Sequence, residues 1–158
     1  MTSKLDFNNG LLTGIPRHLT NKLQTIQNAA ARLIMRSKRQ EHITPMLYEL
    51  HWLPIIHRIR YKVMVLVYKT VEGTGPKYLE EILHLYTPNR TLRSSLDPLT
   101  FTVPKTRLKS YGDCAFSTFA PREWNSLPLS IRSSESLPSF KSSLKTYYFK
   151  KHFGDIAQ

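Results

Sequence analysis

Between Pro54 and Gly73 runs the most apolar stretch of the chain, and it constrains the fold more than any other feature. Residues 55–72 contain an unbroken apolar run, VMVLVY at 63–68, whose β-branched side chains leave a strand open by propensity. Two observations favour a helix. The stretch continues without a break to Gly73, and Arg58, Lys62 and Lys69 recur on one side of a helical repeat. The expectation is a central helix over 55–72, buried on most of its faces. Around it the sequence predicts a compact, mainly α domain with a small β-hairpin element, an α+β arrangement.

Upstream, Pro16 stands where a first helical residue would, and Leu19, Leu23, Ile26, Ala30, Leu33 and Ile34 fall within an arc of roughly 100°. They give this helix its apolar face. Arg32, Arg36 and Arg39 project from another face, either as a ridge that tracks a phosphate backbone or as an ordinary solvated side. Thr44 before Pro45 reads as an N-cap opening a short helix to about His51, and Trp52-Leu53-Pro54 breaks and restarts the chain. Gly75-Pro76 opens a further helix carrying Tyr78, Leu79, Ile82, Leu83 and Tyr86.

After Pro88 the texture changes to a polar stretch that includes Arg90 and Arg93. Residues 99–103 (LTFTV) alternate and stop at Pro104, which predicts a short strand paired with 107–110. Lys105, Arg107 and Lys109 also alternate. Beside Tyr111 they form either a cationic platform for nucleic acid or an edge strand guarded by its charges. Residues 113–125 read as helix, restarting at Pro121 and burying Trp124. Ser136 caps a last helix, with Pro138 near its start and Phe140, Leu144, Tyr147 and Tyr148 on one face. The helical part, 1–86, and the remainder, 87–158, read as one continuous domain.

The 158 residues carry a formal charge of +12, and the excess is spread evenly over the two parts. A folded chain that is positive throughout repels itself, and a polyanionic partner is the usual compensation. The lone Cys114 excludes an internal disulfide and a cysteine-based zinc site. The six histidines lack metal-ligand spacing, no cofactor is expected, and no apolar run approaches a membrane span. Met1-Thr2-Ser3-Lys4 begins no signal peptide, so the expectation is an intracellular protein, nuclear or cytoplasmic. No glycine-rich phosphate loop, nucleophile elbow or acidic cluster for divalent metal is present. Tyr111-Gly112-Asp113-Cys114 resembles the metal-binding Tyr-x-Asp-Asp turn of polymerases, but Cys114 occupies the second acidic position and is a poor Mg²⁺ ligand. The chain is expected not to be an enzyme.

Several longer stretches carry a resemblance. They are LDFNNGLL (5–12), KLQTIQNAAARLI (22–34), HITPMLYELHWLPIIHRIRYKV (42–63) and YKTVEGTGPKYL (68–79), followed by RTLRSS (90–95), VPKTRLKSYGDCAFSTFAPREWNSLP (103–128) and LPSFKSSLKTYYF (137–149). Together they resemble the C-terminal, post-polymerase region of the open-reading-frame-two protein of LINE-type (non-LTR) retrotransposons, most closely the jockey-like clades. LHWLP and APREWNSLP are the most specific of these motifs.

The resemblance implies a non-catalytic fragment of a reverse transcriptase, because that family's endonuclease and polymerase palm lie upstream of the region matched. It also places Tyr111-Gly112-Asp113 in the tail rather than the palm. The zinc knuckle of other clades has no counterpart here. The opening Met1-Thr2-Ser3-Lys4 fits either a truncated copy with its own start codon or a fragment predicted as a gene. The implied partners are RNA and/or DNA, held electrostatically and with weak sequence preference during target-primed reverse transcription, and the upstream polymerase domain. The residues expected to carry the binding are Arg32, Arg36, Arg39, Arg58 and Lys62, with Arg90, Arg93, Lys105, Arg107 and Lys109. Trp52 and Trp124 either stack on bases or pack in the core; core packing is the expectation. Two alternatives stand beside this: a packing module for the polymerase thumb, recognisable by a large exposed apolar patch, and an inactive remnant.

Overall fold

The computed structural model describes residues 9–87, 99–107 and 112–154. Among them the chain forms a 3-10 turn (Asn9–Leu12) and seven helices: α1 (Arg17–Met35), α2 (Ile43–Glu49), α3 (Ile55–Val71), α4 (Lys77–Glu80), α5 (Phe116–Asn125), α6 (Leu129–Arg132) and α7 (Leu137–Phe153). The mainly α expectation holds.

The apolar stretch after Pro54 is α3, and it sits at the centre. Ile59, Val63, Met64, Val67 and Tyr68 are buried, while Lys62 keeps to the surface. Burial of this run outweighs the strand preference of its valines, since each fully buried aliphatic side chain contributes about 1.5–3 kcal/mol. Around α3 gather Ala120 and Trp124 of α5, Ile131 of α6, and Phe140, Leu144 and Tyr148 of α7, with Leu53, Leu83 and Phe101. The Tyr68 ring stacks on Phe140 with centroids 4.2 Å apart. A second cluster joins Ala31 of α1, Leu47 of α2 and Phe153 at the end of α7. α3 ends in a Schellman motif, in which Gly73 takes φ +67° while the Thr74 N–H reaches the Lys69 carbonyl at 2.9 Å.

α1 departs from its expected orientation. Its apolar stripe does not face the core: Leu19, Ile26, Leu33 and Ile34 are exposed, and the buried residues are Gln27 and Ala31. Hydrogen bonds explain the choice. Gln27 Nε2 donates to the Leu53 carbonyl at 2.9 Å, and Gln24 Oε1 accepts the Ile55 N–H at 2.9 Å. Gln24 thereby satisfies one of the open N–H groups at the start of α3, and its own Nε2 donates to Asn28 Oδ1. The polar side of KLQTIQNAAARLI clamps the backbone of LHWLPI, and the leucine stripe is left outside.

The β element is also different. Among the described residues, 99–103 are not paired as one arm of a hairpin. Phe101 makes an isolated antiparallel bridge with Leu85, closed by the Tyr86 N–H to the Thr100 carbonyl and the Thr102 N–H to the His84 carbonyl, both at 2.8 Å. The predicted partner residues 108–110 lie outside the described residues. Because residues 84–86 enter this bridge, α4 stops after a single turn, and Tyr78, Ile82 and Tyr86 stay exposed. Helix α2 starts at Ile43 with His42 as N-cap, two residues before the expected start. Pro121 lies inside α5 without breaking it, and Trp124 is fully buried. Ser136 caps α7 as expected, its hydroxyl accepting from the Ser139 N–H.

Candidate functional site

The site grows out of the turn between α2 and α3. After Glu49 the chain closes a second Schellman motif, with the His51 N–H on the Tyr48 carbonyl at 3.0 Å and the Trp52 N–H on the Leu47 carbonyl at 2.8 Å. The left-handed residue of this motif is not glycine but His51, at φ +53°. A β-carbon there costs on the order of 1 kcal/mol. In return, the turn holds an imidazole at a fixed place on the surface. Its Nδ1 lies 3.1 Å from the Glu49 carbonyl, which can only accept, so the bond needs a proton on Nδ1. The ring stacks on Phe149 of α7 at 5.6 Å between centroids.

Pro54 then launches α3, and the helical repeat brings Arg58, Tyr61 and Lys62 to the side facing His51 and Trp52. These five residues, with Asn9, Leu53 and Lys145 of α7, line a cleft of about 440 Å³. A second hollow of about 380 Å³ shares His51 and Lys145 with it and runs on past Tyr48, Phe149 and Lys150. The two adjoin at these shared residues, and together they are the groove between α3 and α7. Four cations from two helices converge on it, Arg58 and Lys62 from α3 and Lys145 and Lys150 from α7, with the imidazole of His51 between. Among the described residues no Asp or Glu lines either part. Arg58 and Lys62 stand at i, i+4, a like-charge pair that an anion between them relieves. Burial pushes the Tyr61 phenol up, so it remains a neutral hydrogen-bonding group at physiological pH.

Of the cations expected from the sequence, Arg58 and Lys62 are in this groove. Arg32, Arg36 and Arg39 are not, and they do not form a ridge: α1 ends at Met35. Arg36 turns left-handed at φ 51°, Arg39 lies in the following turn, and Arg32 Nη2 donates to the Glu41 carbonyl at 3.3 Å. Lys105 and Arg107 are exposed on an irregular segment rather than on a strand face, away from the groove. Arg90, Arg93 and Lys109 lie outside the described residues. Trp124 belongs to the core, its Nε1 donating to the Leu99 carbonyl at 2.7 Å. Trp52 does both things: it packs on the cluster around Leu47 and lines the cleft.

The groove also uses residues that the sequence did not single out, namely His51, Lys145 and Lys150. Lys141 and Lys145 show the i, i+4 spacing of a basic helix face. Nothing in that spacing says that the face lies beside Arg58. Among the described residues no group of three or more His, Cys, Asp or Glu side chains is placed to hold a metal ion, and no helix is long and apolar enough to cross a membrane. No protein-family model, curated protein or solved structure matches this chain.

Proposed function

We propose that this protein binds single-stranded RNA or DNA with little sequence preference, and that the groove between α3 and α7 is where the strand lies. One observation carries the reading: four cations converge on a groove bordered by Trp52, Tyr61 and Phe149, with no carboxylate in its lining among the described residues. Cations along a track hold phosphates, and aromatic edges beside them suit unstacked bases. The resemblance to the tail of a LINE-type reverse transcriptase supports the same role, a non-catalytic module that holds element RNA or target DNA for an upstream polymerase.

A titration of labelled single-stranded oligonucleotides against the intact chain tests this, read by anisotropy between about 50 and about 200 mM salt. Four phosphate contacts predict that log affinity falls against log salt with a slope of about −3 on a single strand. The triple variant Arg58→Ala/Lys62→Ala/Lys145→Ala should retain a slope of about −1. Binding without salt dependence, or a triple variant that binds as the parent does, sinks the proposal.

A further inference from the structure

The groove leaves one large feature of the molecule unused: the outward stripe of α1. Leu19, Leu23, Ile26, Ala30 and Leu33 follow each other at intervals of four, three, four and three residues. This is the alternation of a coiled-coil seam, in which core positions repeat every 3.5 residues on average. Leu19, Ile26 and Leu33 are 39%, 50% and 79% exposed, so the seam has no partner of its own among the described residues. Scattered surface leucines need no explanation, but a seam in register over four helical turns does.

The flanks decide what fits. On one side the seam is closed by the docked face of α1, where Gln27 and Ala31 are buried. On the other side stand His18 and Lys22, roughly 60–100° round the helix from Leu19, and Arg36 follows at the C-cap just beyond Leu33. α1 contains no acidic residue at all. A second copy of this chain pairing seam to seam brings Lys22 and Arg36 against their own kind, which disfavours it. A helix that carries carboxylates beside its leucines meets cations instead.

We infer that the exposed face of α1 is a docking surface for an acidic amphipathic helix of another protein, packed along the Leu19–Ile26–Leu33 seam with its carboxylates against Lys22 and Arg36. This surface does not depend on nucleic-acid binding, since none of its residues lines the groove between α3 and α7.

The test uses the intact chain and two synthetic helical peptides of about 21 residues, both with leucine at the a and d positions. One has Glu at e and g, and its twin has Lys there. Anisotropy titration should show saturable one-to-one binding of the Glu peptide and at least about tenfold weaker binding of the Lys twin. Leu33→Glu and the neutral Leu33→Gln should each weaken the Glu peptide about tenfold, and the far-ultraviolet circular dichroism of both should match that of the parent, because Leu33 is largely exposed. Lys145→Glu, in the groove, should leave peptide affinity within about twofold. The inference is overturned if the Glu peptide does not bind, if both peptides bind alike, or if the Leu33 variants bind as the parent does. It is also overturned if Lys145→Glu abolishes peptide binding, which would make the peptide a generic polyanion in the groove. Light scattering that shows a dimer dissolved by Leu33→Gln assigns the seam to a second copy and overturns it too.

Discussion

The side-chain amide of Asn125 grips both backbone groups of Phe101: its Oδ1 accepts the Phe101 N–H at 2.9 Å and its Nδ2 donates to the Phe101 carbonyl at 2.8 Å. A neighbouring strand would make the same two bonds. Here one asparagine at the end of α5 makes them for Phe101, while its neighbours Thr100 and Thr102 bond to residues 84–86 on the other side. Asn125→Asp keeps the shape but cannot donate to the Phe101 carbonyl, and it brings a second acceptor toward it. Chemical unfolding should show a loss of about 1–3 kcal/mol for Asn125→Asp. Asn125→Ala should lose a comparable amount, because it leaves both groups of Phe101 open. A neutral Asn125→Asp would mean that this pairing contributes nothing to stability.

His57, on α3, gives the protein an acid-sensitive core. Its ring packs at 5.4 Å from Tyr148 and 5.2 Å from His152. Burial first, then the charges of His152, Arg60 and Lys151, lower its pKa from 6.5 to about 4. Burial lowers His152 in the same direction. As pH falls below 6.5 the unfolded chain takes up a proton at His57, while the folded chain resists until about 4. More protons bound by the unfolded state means that stability falls with pH across this window and levels off below it. The loss should be on the order of 2 kcal/mol after discounting for solvent at the ring edge. Urea unfolding at about pH 7.5 and about pH 4.5 measures it, and His57→Gln should flatten the dependence.

Lys145 separates a binding groove from a generally basic surface. If the strand lies between α3 and α7, Lys145→Ala should lower the slope of log affinity against log salt by about 0.7. Arg39→Ala removes the same charge from the turn after α1 and should leave that slope unchanged. Equal effects of the two substitutions would point to diffuse attraction by the net charge of +12 rather than to a site.

Gly14 and Cys114 meet although they lie 100 residues apart in sequence. The Cys114 thiol donates to the Gly14 carbonyl at 3.2 Å, Gly14 takes φ +76°, and a β-carbon on it would overlap the Cys114 side chain. Gly14→Ala should therefore destabilise by about 1–3 kcal/mol through backbone strain and overlap together. Adding Cys114→Gly removes the overlap but not the strain, so the double variant should recover part of the loss. Strict additivity of the two changes in thermal or urea unfolding would show that the contact is not felt.

Local pattern was enough wherever a segment's own residues decide its state. The apolar run after Pro54 predicts α3 to within a residue, the Ser136 cap lies where the sequence puts it, and Trp124 is buried in the segment that predicts it. Each depends on neighbours within a turn or two: a long apolar run buries itself as a helix, and a serine hydroxyl reaches only the N–H three residues on. The cations split on the same line. Arg58 and Lys62 share a face because they share a helix, whereas the supposed ridge through Arg39 needed α1 to extend past Met35, where it ends.

The tertiary structure decided what no local pattern encodes. Which face of α1 is buried was settled by Gln24 and Gln27 finding the backbone of residues 53–55, 26 and 31 positions away, and not by the strength of the leucine stripe. The partner of Phe101 was settled by Asn125, and the groove by α7 bringing Lys145 and Lys150 alongside Arg58. Apolar periodicity reports what a segment can bury. Satisfying open backbone groups is a property of two segments far apart in the chain, and leaving such groups buried without partners costs more than leaving a leucine in water.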